Sequence, residues 1–398
     1  MLSSFTIENY RAFAREQNIE VRPLTLFFGW NSGGKSALIR FLPLLVESIK
    51  ADGPAVWLGG EVARDATWPE LVCKATKRTN LKFELHWVSP ASSSAKWEVD
   101  GDLAGTWQEV RQIELSDKSG TVTYGSDDKK PSGWAGYPYQ VDVKSDEPDS
   151  EFSTTLRDSL RDLVENVQWI AGLRVRPPRL ANYGGGNSPL LKSDGSNAVS
   201  HLVAAQLRSV NDPVLETVGQ FFSALGDALV LDNPMDGAWR IMLRPSNAPD
   251  VKVNLCDTGE GYAQVLPVLV ALARAQFGGP RLLCLEQPEL HLHTRAQAEL
   301  AKVLVATATS PSKPCILLET HSEVLLTSIQ LAIARGDICP SKVRVYWVES
   351  RTDGTSDLFP VDFDSHGLPT NTTLVGAFRE AVELGRELMV AQLKEAMN

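Results

Sequence analysis

Eight residues constrain this chain more than any others: Gly29-Trp30-Asn31-Ser32-Gly33-Gly34-Lys35-Ser36. They complete a GxxxxGK[ST] pattern that follows an apolar stretch, Leu24–Phe28, and opens a helical run, Ala37–Leu45. Glycines let successive backbone N–H groups turn inward around phosphate oxygens, and a helix N-terminus adds positive potential. The backbone of Gly29, Asn31, Ser32, Gly33 and Gly34 would cradle the phosphates. Lys35 would neutralise the β- and γ-phosphates, and the Ser36 hydroxyl would join a Mg²⁺ shell. Such a loop belongs to an α/β fold with a largely parallel sheet.

The rest of the chain suits that fold. Its 398 residues are enough for two or three domains, or for one large unit with an insertion. Lys and Arg number 39 against 49 Asp and Glu, a net charge of −10, which excludes a surface that binds nucleic acid everywhere but not a local basic groove. Five cysteines, odd in number, far apart and without a CxxC pair, exclude a disulfide framework and a zinc ribbon. The first residues show no signal peptide, and the longest apolar runs fall short of the ~20 residues that cross a bilayer. A cytoplasmic protein without membrane contact is expected.

Four segments follow from the patterning. Residues 1–54 carry short apolar alternation and then the phosphate loop. Residues 55–150 are a β-rich insertion of period-two stretches (KFELHW, KWEVDG, GTVTYG), with exposed loops at Ala91–Ala95 and Ser145–Ser150. Residues 151–350 alternate helices and strands, and residues 351–398 hold a hairpin and an amphipathic helical tail over Thr373–Ala396. No heptad run occurs, so no coiled coil is expected between the phosphate loop and the later motifs.

A second element narrows the chemistry. Arg281–Leu285 reads as a buried strand that ends in Glu286-Gln287-Pro288-Glu289 and runs on to His291-Leu292-His293. A carboxylate at a strand tip beside a phosphate loop can hold Mg²⁺ directly or through water, which gives the role to Glu286. Gln287 follows it. An amide orients water but takes no proton, so turnover should be slow. Glu289 reads as a capping carboxylate, with a base acting through water as the alternative. His291 and His293, spaced two apart with no third ligand evident, argue against zinc.

Six segments together resemble the ABC-type ATPase heads of the SMC/RecF superclass. They are IENYRAF (Ile7–Phe13), LTLFFGWNSGGKSALIR (Leu24–Arg40), GLRVRPPR (Gly172–Arg179), DTGEGYAQVLPVL (Asp257–Leu269), LCLEQPELHLH (Leu283–His293) and LLETHSEVLL (Leu317–Leu326). Within that superclass the chain is most similar to OLD-like (overcoming lysogenization defect) ATPases of bacterial anti-phage systems. The resemblance implies ATP and Mg²⁺ as ligands and a homodimer, or a higher oligomer built on it, with two nucleotides between two heads. Asp257–Gln264 would be the signature, in which Gly259, Gly261 and Gln264 meet the nucleotide of the opposite subunit. Ala263 stands where related heads have Ser, which removes one side-chain donor. His321 corresponds to the switch histidine that senses the γ-phosphate, and the His291–His293 loop to a contact with the partner subunit.

The resemblance further implies a slow ATPase that regulates a separate effector, such as a nuclease, in defence. The alternative is a RecF-like repair ATPase that clamps DNA. Arg174, Arg176 and Arg179 form the local basic cluster, read as ion-paired or solvated more readily than as a nucleic-acid contact. OLD proteins carry a TOPRIM nuclease, and Val343–Glu349 with Asp362 and Asp364 superficially resembles its acidic core. The stretch after Glu349 reads as a hairpin instead, so a head without that nuclease is expected.

Overall fold

The computed structural model describes residues 1–51, 54–88, 92–102, 104–118, 120–125, 151–186, 188–374 and 386–387. The chain starts with strands β1 (Leu2–Glu8), β2 (Gln17–Glu20) and β3 (Leu24–Gly29), then helix α1 (Lys35–Ala51) and a single turn, α2 (Trp68–Leu71). Strands β4 (Leu81–Trp87), β5 (Ser93–Gly101), β6 (Gln108–Asp117) and β7 (Gly120–Tyr124) precede α3 (Glu151–Asn166). Next come β8 (Val167–Ile170), β9 (Ala181–Asn182), α4 (Ala198–Arg208), α5 (Pro213–Leu225), β10 (Asp227–Met235), β11 (Ala238–Pro245) and β12 (Val253–Asn254). The series ends with α6 (Glu260–Gln276), β13 (Leu282–Glu286), α7 (Thr294–Thr309), β14 (Cys315–Thr320), α8 (Glu323–Arg335), β15 (Val343–Ser350) and β16 (Ser356–Val361).

The central sheet has the order β16-β15-β3-β14-β13-β8, parallel throughout except for the antiparallel pair β15–β16. Its inner strands are apolar along their length because both faces are covered. Alternate residues divide between two cores. Leu24, Leu26, Leu283, Leu285, Ile316 and Leu318 pack with α4 to α8. Phe27, Cys284, Cys315 and Leu317 pack on the opposite face, with α1, α3 and the antiparallel sheet. That sheet runs β2-β1-β4-β5-β6-β7, so the strands of residues 55–150 extend the one begun by the N-terminus. Aromatic contacts fasten it to α1: Phe41 stacks on Phe5 at 5.5 Å and meets Phe83 edge to face at 5.6 Å.

Some expectations need correction. Ser93–Ala95, expected in a loop, begin β5. Between β11 and α6 the chain forms only a two-residue strand, Val253–Asn254, before a 3-10 turn at Leu255–Asp257, where Asn254 caps the Cys256 N–H. The hairpin after Glu349 is present as β15–β16. Asp362 is paired with Arg22 and Asp364 accepts turn N–H groups of His366 and Leu368, so neither acid faces a common site. The loop at Ser145–Ser150 and most of the helical tail at Thr373–Ala396 lie outside the described residues.

One buried group gives the fold a pH dependence. His201 on α4 is 6% exposed, and burial, with repulsion from Arg274 and Arg208, pulls its pKa down to about 4. The unfolded chain therefore binds this proton from about pH 6.5 downward while the native state does not, and stability falls as pH drops from 6.5 to 4. His201→Gln should remove up to about 3 kcal/mol of that fall, read from urea unfolding at pH 7 and pH 4.5. Parallel curves for the two proteins would show that His201 titrates normally.

Candidate functional site

Strands β3, β14 and β13 end side by side at the carboxyl edge of the central sheet, where ligands of open α/β sheets bind. β3 turns into the phosphate loop through Gly29 at φ +147°, where an added Cβ would run into the Val348 carbonyl of β15. Only glycine fits there. Asn31 and Ser32 are exposed, Gly33 is buried and Gly34 half-buried, and α1 opens at Lys35. Lys35 is 2% exposed, and its Nζ donates to the carbonyls of Gly29 (3.0 Å) and Trp30 (2.5 Å). Burial lowers its pKa to about 8, with Glu319 pulling the other way. The ammonium thus sits in a pocket that lacks full counter-charge.

The strand register sets two carboxylates beside it. Glu286 and Glu319 are direct partners in the parallel β13–β14 pair. The alternation that sends Leu285 and Leu318 to one core sends both acids to the face covered by α1. Glu286 is fully engaged: Arg40 of α1 donates to both oxygens (2.6 and 2.5 Å), and the Trp169 indole donates to Oε1 (2.8 Å). Glu319 is not. It lies against the Ser36 hydroxyl and the Gln287 side chain, and burial raises its pKa. Its Oε2 is buried with no hydrogen-bond partner among the described residues.

Gln287 follows β13 in a left-handed conformation, φ +40°, held from both sides. Its N–H donates to the Glu319 carbonyl (3.0 Å), and its carbonyl accepts from Arg174 Nη2 (2.9 Å). His321 lies just past β14, with Nε2 4.0 Å from Glu319 and its ring against the Gly29 backbone. Burial, then Lys35, lowers its pKa, so it is neutral near pH 7. Glu289 caps a turn, but not that of its own segment. Its Oε1 accepts from the Thr320 hydroxyl (2.6 Å) and the His321 N–H (3.1 Å).

The signature segment opens α6. Asp257, Gly259 and Glu260 are exposed, and α6 starts at Gly259 with no side-chain cap among the described residues, which leaves its first N–H groups open. Gly261 faces inward: a Cβ there would come 2.5 Å from the His291 carbonyl, so its glycine serves packing inside the chain. Gln264 also turns inward, donating to the Arg174 carbonyl (2.6 Å) and accepting from its N–H (3.1 Å). Ala263 is fully buried. Arg176 pairs with Glu260 and Arg179 with Asp257, so two members of the basic cluster are neutralised by the signature segment. Arg174 is 5% exposed, and burial lowers its pKa to about 10. Its Nε and Nη1 have no partner among the described residues. His293 caps α7 through the Arg295 N–H, and no cluster of three metal-ligating side chains occurs among the described residues.

The phosphate loop, Glu286, Gln287 and His321 therefore converge, while Gly259 points outward and Gly261 and Gln264 point into the protomer. Sequence reasoning missed Glu319, Arg40 and Trp169. A signal for Glu319 was present, since a carboxylate interrupts the apolar run Cys315–Leu318 just before His321.

Comparisons with known proteins follow this geometry. Residues 176–327 match the family model described as "AAA domain, putative AbiEii toxin, Type IV TA system". That span holds the signature segment, Glu286, Gln287 and His321, and lies downstream of the phosphate loop. Among solved structures, the chain resembles an SMC head bound to the C-terminal winged-helix domain of ScpA, at 12% identity and a TM-score of 0.54, over 91% of this chain and 98% of that one. It also resembles an SMC head with an extended coiled coil, bound to the C-terminal domain of ScpA from Pyrococcus furiosus. There the identity is 10% and the TM-score 0.51, over 98% of this chain and 99% of that one. At such identities the likeness is one of fold: an α/β P-loop ATPase head of SMC type. No curated protein sequence matches the chain. No helix among the described residues is long and apolar enough to cross a membrane.

Proposed function

We propose that this chain is an ATP-binding, slowly hydrolysing ABC-type ATPase head that dimerises around nucleotide and regulates a separate effector, within an OLD-like anti-phage system. The observation that carries the reading is the convergence of Lys35, Ser36, Glu286, Glu319, Gln287 and His321 at one sheet edge. Hard oxygen donors beside a P-loop hydroxyl, one of them a buried oxygen without a partner, suit Mg²⁺. Ser36 and a carboxylate at this sheet edge would hold it, and when bound it neutralises phosphate charge. Lys35 would bind the β- and γ-phosphates. Gln287, fixed by Arg174 and the Glu319 backbone, would orient water without taking its proton, which keeps hydrolysis slow. Neutral His321 would sense the γ-phosphate beside Gly29.

The open start of α6 at Gly259 would meet the nucleotide of a second head. Gly259→Asp tests this, because a side chain there has open space and the protomer should stay folded. A carboxylate aimed at the partner's γ-phosphate should abolish the ATP-dependent dimer in light scattering and leave ATP affinity of the protomer within about threefold. A dimer unaffected by the change would refute this interface. The defence role draws on the toxin–antitoxin description of the matched domain, and on SMC heads having been solved with ScpA domains bound. Co-purification with the products of neighbouring genes, with and without ATP, tests it. The RecF-like alternative requires salt-dependent DNA binding, for which the ion-paired Arg176 and Arg179 leave little free charge.

A further inference from the structure

We infer that Glu319, at the tip of β14, is the carboxylate that holds the divalent cation beside Ser36, in place of the strand-end acid Glu286. The inference rests on the nucleotide reading above and assigns its metal site to a different residue.

Three observations carry it. First, both oxygens of Glu286 are already hydrogen-bonded. Two guanidinium N–H groups of Arg40 and the Trp169 indole N–H occupy its two oxygens, and the Arg40 fork already neutralises its charge. To ligate a cation directly it would have to share oxygens already held in a bidentate buried pair. Second, Glu319 occupies the matching position one strand closer to the phosphate loop, because β14 lies between β3 and β13. Its carboxylate meets the Ser36 hydroxyl, the side chain a P-loop offers to Mg²⁺. Third, Glu319 is 3% exposed, and its Oε2 has no partner among the described residues. A buried carboxylate oxygen without a donor is costly unless something arrives to satisfy it. No hydrogen bond from a nearby cation reaches it among the described residues: Lys35 turns two of its three N–H groups to the Gly29 and Trp30 carbonyls, and Arg40 is committed to Glu286. A small hard cation between Ser36 and Glu319, its remaining positions filled by water and phosphate oxygens, would satisfy it.

Among the described residues Glu289 is the other acid with a buried, unpartnered oxygen, but its second oxygen is held by the Thr320 hydroxyl and the His321 N–H, and no hydrogen bond joins it to Ser36 or Lys35. It does not compete for the role.

The test compares Glu319→Gln and Glu286→Gln with the unaltered chain by two readouts that do not depend on turnover. One is ATP affinity with EDTA and with Mg²⁺, and the other is the EPR signal of Mn²⁺ in the ATP complex. For Glu319→Gln the expected result is an unchanged affinity in EDTA, at least a tenfold smaller gain on adding Mg²⁺, and Mn²⁺ bound at least tenfold more weakly. Unchanged affinity in EDTA also certifies that the variant is folded. Glu286→Gln should alter the Mn²⁺ affinity by less than threefold. Normal Mn²⁺ binding by Glu319→Gln, or a loss confined to Glu286→Gln, overturns the assignment while leaving the nucleotide reading intact. Failure of the unaltered chain to bind ATP overturns both.

Discussion

Lys35→Ala should abolish measurable ATP binding, weakening it by about 10²–10³-fold, the cost of leaving a buried charge without its partner. The Lys35 ammonium is almost wholly buried, tethered to the Gly29 and Trp30 carbonyls, and its pKa is pulled down to about 8 because burial outweighs the pull of Glu319. A pocket that disfavours a lone ammonium gains the most when phosphates arrive, and removing the amine removes that gain. The same reasoning fixes the sign of a second readout. Because the charge is a burden on the empty fold, Lys35→Ala should unfold at a temperature no lower than the unaltered chain when nucleotide is absent. Titration with a fluorescent ATP analogue and thermal unfolding without nucleotide check the two halves. Retained affinity would mean that the loop cradles phosphate by its backbone alone. A large drop in unfolding temperature would mean that Lys35 is a structural tie.

Much of this was legible in the sequence because it is written in short-range order. The phosphate loop, the strand ending in Glu286 and the switch histidine are contiguous strings whose flanks declare strand or helix. Helices α1, α4, α6 and α7 and strands β3, β13, β14 and β15 follow from apolar spacing. Of the elements missed, three show why. Helix α5 announces itself by Asp212 capping the Val214 N–H, Pro213 in its first turn, apolar spacing through Phe222 and Gly226 at its far end, with Gly219 in its interior as a contrary signal. Strand β10 contains Pro234 and turn residues that argue against a strand, yet it pairs with β11 up to Asp232 before a register shift. Helix α8, capped by Ser322, was absorbed into the motif around His321.

The site was harder to read for a different reason. Glu286 and Glu319 are distant in sequence and adjacent only through the parallel register, which a single sequence does not encode locally. Gln264 looked like a donor to a second subunit until its amide was found clamping the backbone of Arg174. Arg40 looked like one more polar residue on a helix.

Arg40 carries the other large expected effect. Arg40→Ala should destabilise the chain by about 3–5 kcal/mol, because it strands a buried carboxylate. Glu286 is 4% exposed, and after the change only the Trp169 indole would still donate to it. Desolvation of that carboxylate is a cost the fold already bears, so losing the cation subtracts the attraction and leaves the penalty. Arg40→Lys should fall between, since an ammonium keeps the charge but not the two-pronged fork. The informative variant is the double change Arg40→Ala with Glu286→Gln. It removes both charges, and it should recover more than half of the loss if the stranded carboxylate is the cause. Urea unfolding of the four proteins at two ionic strengths separates this from a surface effect, because a pair this buried should be nearly insensitive to salt. A loss below about 1 kcal/mol for Arg40→Ala, the range of exposed pairs, would show that Glu286 can leave its arginine at little cost. The cation would then be as accessible to Glu286 as to Glu319, and the division of labour between the two acids would have to be redrawn.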